Sequence, residues 1–551
     1  MTAPASGSRR VTLPRLPGSR GRDRSTAAEG SRGRLATLLS PAAIRALISG
    51  NRLFVLVLIP AVALRADAEL GYQWQSWFND SFQYMGDVIG LHPDVTRPAG
   101  YAIFLKILEP LHSYAAVTIL QHLMGVSVGV MVYALARHRF GVPAWIASLA
   151  AVPVLYDGFQ IQLEHLILSD VPFEFLLALA TTLLLWDSKP SWQRCTLIGL
   201  ILGVSATVRS VGLPFLAVFA VYIIIKRIGW RAVAGTIVAC LAPVLLYCTW
   251  FYAVYGQFAM TDSTGIFLYS RTMAFAECSK MHLPTDELSL CTTTPPDKRP
   301  MSQSYIWSNF SPLDRFPPSK FSPLPNQLAE DFAKRAIIAQ PLSYAQIVAY
   351  DTIRVFEWRR YVFPNAATYN EYLFGYRSLP IPAWARGHVG SYNSDVAYYI
   401  RGNPLTDVVE PFAGVIRVWQ RYVWLPGSVY GAILAVGLGG MVLAWRRLGG
   451  EAALPWVISV ALIVEPAATA EFDYRYVLPA VPFACLAAAM AFGRDTAARN
   501  WLDARRSRRR GEAAPAGAAG GAAGQEPGGT AGQEPGGTAG QELTRGETTA
   551  S

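Results

Sequence analysis

An aspartate, a tyrosine and a second aspartate stand at positions 80, 84 and 87. If residues 79–90 are helical, the three share one face at i, i+4 and i+7. The stretch reads Trp77-Phe78-Asn79-Asp80-Ser81-Phe82-Gln83-Tyr84, and Asp94, Arg97-Pro98, Gly100-Tyr101 and Lys106 follow it. It lies just beyond the first long apolar segment. A carboxylate on an aromatic-lined wall outside a membrane span has what a general base needs, namely partial desolvation and a fixed position. The simpler role for Asp80 is to N-cap the helix. Arg209, between two apolar segments, and Arg475, at the start of the last one, are cations at the matching depth. Each is a functional candidate as an ionisable residue at a span end, or else a snorkelling or structurally paired residue, as Arg475 would be with Asp473. Arg97 and Lys106 are further cations of the same stretch. Asp87, Glu164 and Asp170 could pair with these arginines, and Glu465 sits within an apolar run.

The elements that must position these residues follow from composition and hydropathy. Of 551 residues, 16% are charged and 52% hydrophobic, and the mean hydropathy is +0.26. Soluble domains carry about 25% charged residues, so an ordinary soluble protein is excluded. Apolar segments fall near 48–66, 113–136, 142–157, 165–186, 195–209, 211–226, 232–255, 427–445, 453–471 and 476–493. A bilayer core about 30 Å thick takes about 20 residues of helix, so the expected fold is an all-α polytopic membrane protein with about ten transmembrane helices. Several spans are short, and the tight turns within 142–186 and 195–226 also permit re-entrant hairpins. Ala66-Asp67-Ala68 resembles a signal-peptide cleavage site, but Arg65 and Asp67 within it favour retention of the first span.

Charge orients this bundle. The formal net charge is +10. Residues 1–36 hold eight arginines against two acids, and 499–510 hold six against one, which sums to +11. The rest of the chain is nearly neutral. Ten spans with an internal N-terminus make 137–141, 187–194, 227–231 and 446–452 inner loops, and all four carry basic residues, as the positive-inside rule requires. Both termini are then cytoplasmic and the two long loops extracytoplasmic, in a multi-pass plasma-membrane protein. The arginines touch anionic lipid heads. No recognition module accompanies them, so no nucleic-acid partner is expected.

The chain therefore divides into a disordered basic N-terminus (1–45), a transmembrane core (46–255) with its first outer loop (67–112), an extracytoplasmic domain of mixed and irregular structure (256–426), C-terminal transmembrane helices (427–495) and a disordered tail (496–551). The domain holds ten prolines between Pro284 and Pro341, which disfavour regular structure, then one or two helices over 326–360. The tail repeats AGQEPGGT at 523–530 and 531–538, too polar to bury a core. Cys278 and Cys291, on the outer side, are disulfide candidates, a closure worth roughly 3 kcal/mol in the chain-entropy model. Cys195, Cys240, Cys248 and Cys485 lie in apolar spans. No HExxH, CxxC or His/Cys cluster occurs, and the seven histidines are scattered, so no metal or cofactor is expected.

Three stretches carry a family resemblance. They are Asn79-Asp80-Ser81 with Tyr84 and Arg97-Pro98-Ala99-Gly100-Tyr101; Leu166-Ile167-Leu168-Ser169-Asp170-Val171-Pro172-Phe173; and Asp473-Tyr474-Arg475-Tyr476-Val477-Leu478-Pro479. In this order, over about 45–260 and 425–495, the chain resembles membrane glycosyltransferases of the GT-C superfamily, in particular the branch of protein O-mannosyltransferases and the lipid A aminoarabinose transferase. It departs from the mannosyltransferases in carrying Asp-Ser at 80–81 and Ser-Asp at 169–170 where they have an Asp-Glu pair, so the sugar stays open.

The resemblance implies a hexosyl- or pentosyltransferase whose donor is a sugar on a polyprenyl phosphate. Asp80 would deprotonate an acceptor hydroxyl as it attacks the anomeric carbon with inversion. Arg209 and Arg475 would hold the phosphate, with Tyr84, Asp87, Arg97, Lys106 and Asp170 around the substrate. The acceptor is a glycan, lipid or protein. A composition rich in glycine, alanine and arginine suggests a high-GC bacterium with a decaprenyl or undecaprenyl carrier in its cell envelope. The competing class is a multi-span transporter or lipid flippase. Inverted repeats with paired broken helices would mark one, and the chain has no such repeat.

Overall fold

Each of the ten apolar segments contains a helix in the computed structural model, which describes Arg45 and residues 48–443, 450–494 and 496–510. Helix is the form an apolar segment takes where no water can satisfy its backbone. Nearly all of the basic stretch 1–45, the loop arginines Arg446 and Arg447, and the repeat tail lie outside the described residues. Two units divide the chain, Met1–Asn500 and Trp501–Ser551; of the second, only the end of helix Ala497–Arg510 is described.

In chain order, α1 (Arg52–Gly71) leads into the first long loop, whose helices are α2 (Asn79–Gly90) and α3 (Gly100–Leu108). Then come α4 (Tyr114–Ala134), α5 (Ala144–Tyr156), α6 (Gly158–His165), α7 (Asp170–Leu185), α8 (Trp192–Val208), α9 (Phe215–Ile225) and α10 (Trp230–Tyr255). The second long segment contains α11 (Thr264–Thr272), α12 (Pro323–Ala339), α13 (Pro341–Arg354) and α14 (Phe412–Tyr422). Last are α15 (Gly427–Leu443), α16 (Ala453–Thr469) and α17 (Tyr474–Met490).

Among the described residues, the helices Tyr114–Arg139 and Trp230–Tyr255 are long and apolar enough to cross a membrane, by length and composition. The bent pairs α5–α6 (52°) and α14–α15 (60°) raise the number to four if each is one span, and α8, Ser210–Ile225, α16 and α17 are shorter apolar helices. Helix α1 is long enough, but Arg65, Asp67 and Glu69 crowd its last turns. The first bend has a local cause. The Asp157 carboxylate accepts from Phe159 N at 2.7 Å and Gln160 N at 3.3 Å, which ends one helix and starts the next. Residues 158–165, read from the sequence as a turn, are therefore a short helix.

Close packing in the bundle uses small residues. Gly199 and Gly203, four apart on α8, let α10 approach so closely that a Cβ at either would overlap the backbone of Thr236 or Cys240. Thr236 Oγ1 donates across this seam to Cys195 O at 3.1 Å. At one end of the bundle, Glu451 accepts from Arg139 at 3.2 Å and Lys226 at 3.4 Å, and Arg494 N donates to Phe140 O at 2.9 Å.

At the opposite end, β1 (Tyr72–Gln73) pairs antiparallel with β2 (Asp407–Val408), joining the first long loop to the end of the second segment. That segment has its own apolar core, in which Ile266, Tyr269, Leu290, Ile306, Phe332 and Ala336 are fully buried. Cys278 and Cys291 form a disulfide at its rim.

Candidate active site

The first long loop presents Asp80 at the start of α2, in the second position of the helix. Phe78 is the N-cap residue, and its backbone N–H donates to Ser81 Oγ at 3.0 Å. Asp80 is thus not the cap. Its carboxylate instead receives two guanidinium groups, Arg97 Nη2 on Oδ1 at 2.6 Å and Arg475 Nη1 on Oδ2 at 2.8 Å. The three side chains are largely buried, at 15%, 20% and 11% exposure for Asp80, Arg97 and Arg475. Burial pushes the Asp80 carboxyl up, but the charges of Arg97 and Arg475 outweigh it and leave the group at about 2.

Each arginine is held from behind. The Asp94 carboxylate accepts from Arg97 N at 2.9 Å and from Gln83 Nε2 at 2.7 Å, fixing the turn between α2 and α3. Arg475 lies over the Phe78 ring at 4.7 Å and also faces Asp473 at 3.4 Å. Asp473 in turn receives the Tyr372 hydroxyl. Arg209 forms an ion pair with Asp170 and lies 5.3 Å from the centre of the Tyr476 ring, the same ring that Arg475 faces at 5.1 Å. Tyr84 shares a 2.9 Å hydrogen bond with Ser169 and receives Arg97 over its ring at 5.9 Å.

Gly100 explains the approach of these pieces. A Cβ there would overlap the backbone of Thr207, two residues before Arg209, so α3 packs directly on the end of α8. The pair Asp170–Arg209 is thereby brought beside Asp80–Arg97–Arg475.

Not every sequence candidate joins this cluster. Lys106 pairs with Glu109 at 2.6 Å. Glu164 is bound by Arg65, at 2.7 Å to each carboxylate oxygen. Asp87 is 1% exposed, and burial together with the neighbouring Asp94 charge raises it to about 8. The reading from sequence missed Glu371, which accepts from Asn79 N at 3.0 Å and Nδ2 at 2.7 Å at the start of α2. Burial raises Glu371 to about 7. It also missed Tyr372, Ser169 as the partner of Tyr84, and Tyr476. Of these, only Ser169 and Tyr476 lie in motifs that drew attention.

This arrangement, a carboxylate and three arginines where the segment 79–108 meets the ends of two apolar helices, defines a charged, largely buried site in a mostly helical protein with helices of membrane length. Residues 103–231 match the PMT family, dolichyl-phosphate-mannose-protein mannosyltransferase. The resemblance read from the sequence is borne out over this segment, which matches a mannosyltransferase family model. It includes Asp170 and Arg209, while Asp80, Arg97 and Arg475 lie outside it.

Among solved structures, the chain is similar to the S. cerevisiae protein O-mannosyltransferase Pmt1-Pmt2 complex bound to the sugar donor, at 17% identity and a TM-score of 0.31 over 41% of this chain and 36% of that one. It is also similar to ArnT from Cupriavidus metallidurans bound to undecaprenyl phosphate, at 12% identity and a TM-score of 0.31 over 81% of this chain and 77% of that one. No curated protein matches it. The chain spans about a third of the length of the yeast chain, and about three quarters of ArnT.

Proposed function

We propose that the protein is an inverting glycosyltransferase that moves a sugar from a polyprenyl-phosphate donor to an extracytoplasmic acceptor hydroxyl. The observation that carries this reading is the Asp80 carboxylate held between Arg97 and Arg475, where the first outer loop meets the last apolar helix. Without substrate, the two guanidinium groups neutralise Asp80 and make it a weak base. A lipid phosphate is a competing anion for the same donors, and arginine suits its geometry. As Arg475 turns to the phosphate, Asp80 loses a cation and becomes more basic, so donor binding itself arms the base.

The acceptor oxygen then attacks the anomeric carbon, its proton passing to Asp80. The bond from that carbon to the phosphate oxygen breaks, and the electron pair leaves on the phosphate. Arg475 and Arg209 stabilise the developing dianion in a site shielded from water. Ser169 and Tyr84 fix the wall opposite. About ten spans with both termini inside suit this reading, because Glu451 meets Arg139 and Lys226 at the ends of the loops 137–141 and 227–231, while Asp80 lies among the residues of the long loops.

The test is to incubate the purified full chain with a radiolabelled polyprenyl-phosphate sugar and follow release of lipid phosphate. Turnover supports the reading. No turnover with any such donor, together with proton-gradient-driven uptake in proteoliposomes, would make the protein a transporter instead.

A further inference from the structure

One cluster in the bundle is not used by this chemistry. Glu69 at the end of α1, His122 on α4 and His165 at the end of α6 bring one ligand atom each to a common point. His122 Nε2 and His165 Nδ1 are 3.2 Å apart, and Glu69 Oε1 lies 3.6 Å from the first and 3.8 Å from the second. All three residues are buried, at 9%, 4% and 0% exposure.

The protons can be assigned from the outer partners. His122 Nδ1 faces Glu164 Oε2 at 2.9 Å, on a carboxylate that both Arg65 nitrogens also bind. His165 Nε2 faces the Tyr72 carbonyl at 2.8 Å. Both partners only accept, so both outer nitrogens must donate. In neutral histidine the two inner nitrogens are then bare lone pairs, and they face each other and an acceptor-only carboxylate. Neither Glu69 oxygen has a hydrogen-bond partner, and the Thr118 hydroxyl beside it donates instead to Trp74 O at 3.0 Å. Arg65 is taken up by Glu164, so no cation of the protein is paired with Glu69.

A shared proton would bridge only the 3.2 Å edge. The other two edges exceed hydrogen-bond length, so Glu69 would stay buried and unpaired. A tetrahedral ion with ligands at about 2.0–2.1 Å has edges of roughly 3.3–3.4 Å, close to all three distances. Histidines whose second nitrogen donates to a carboxylate or carbonyl are the usual partners of zinc.

We propose that Glu69, His122 and His165 bind one zinc-class divalent ion. The histidines were scattered in sequence, and the bends at Asp157 and after His165 bring them together. The ion would be a clamp rather than part of the reaction. His165 O accepts from Ser76 N at 3.0 Å, and Ser76 O accepts from Ile167 N at 3.3 Å. It therefore ties the root of the first outer loop to the segment leading to Ser169 and Asp170.

The test uses the full chain, purified without a polyhistidine tag, stripped with chelator, loaded with Zn²⁺ and desalted. Elemental mass spectrometry is expected to find one zinc per chain, and Co²⁺ loading to give the visible absorption of a tetrahedral nitrogen–oxygen site. Glu69→Gln and His165→Gln should lose the ion while eluting as the wild type does. Clearly substoichiometric zinc in folded wild type, or full zinc in both variants, overturns the proposal. If the variants fail to fold, the wild-type stoichiometry and the cobalt spectrum decide it alone.

Discussion

At the residue scale the behaviour of Asp80 is set by its two arginines. If Arg97 is replaced by glutamine, one of the charges that hold Asp80 at about 2 is lost, and its value rises. Because the base acts deprotonated, the acid limb of kcat/KM should move to higher pH in Arg97→Gln; an unmoved limb would separate Asp80 from proton transfer. Asp87 gives an independent check. Its folded-state value of about 8 lies far above the 3.8 of an ordinary aspartate, so the folded protein binds an extra proton between those values. That contribution to stability is complete below pH 4 and is lost as pH rises towards 8. Asp87→Asn should thus stabilise the protein at pH 8 by at least about 1 kcal/mol and much less at pH 5, read as thermal midpoints in detergent. Asp80, Arg97, Arg209 and Arg475 could be found from sequence because few charged residues stand beside apolar segments. Glu371 and Tyr372 could not, since they fall in an irregular stretch whose lack of periodicity says nothing about where it folds back.

At the element scale, the crossing of α3 on α8 sets the distance between the two ion-pair groups. Gly100→Ala forces a methyl group into the Thr207 backbone, which should cost about 1–3 kcal/mol. It should also raise KM for the donor, as Arg209 moves away from Arg475. An unchanged thermal midpoint and KM would show that the crossing has slack. Every apolar run was recognisable as a helix, but helices outside them were hidden, α6 and α14 among them. In α14, Arg417, Gln420 and Arg421 interrupt the apolar pattern, so an amphipathic helix reads as loop. In α6, eight residues with Gln160, Gln162, Glu164 and His165 look like a polar turn, although all eight are buried in the fold.

At the scale of the whole molecule, the +10 charge resolves into two arginine-rich ends and a nearly neutral body. The inner-loop basic residues predict a side for each loop, and the ends of three such loops meet around Glu451 and Phe140. Exposed His388, in the long outer segment, and Arg227 should therefore lie on opposite sides. In intact cells an impermeant maleimide should label His388→Cys and leave Arg227→Cys unlabelled; the reverse pattern would invert the topology. The fold's long-range joins, such as the pairing of Tyr72 with Val408, were not legible, because a two-residue strand has no sequence period to detect.

The central claim is that Asp80 accepts the acceptor's proton while the arginines take the lipid phosphate. Its most direct measurement compares wild type and Asp80→Asn, equally folded, for release of polyprenyl phosphate from the sugar donor in the presence of acceptor. Loss of the base should slow turnover by about 10²–10⁴-fold, with donor binding retained. Turnover by Asp80→Asn at the wild-type rate would contradict it.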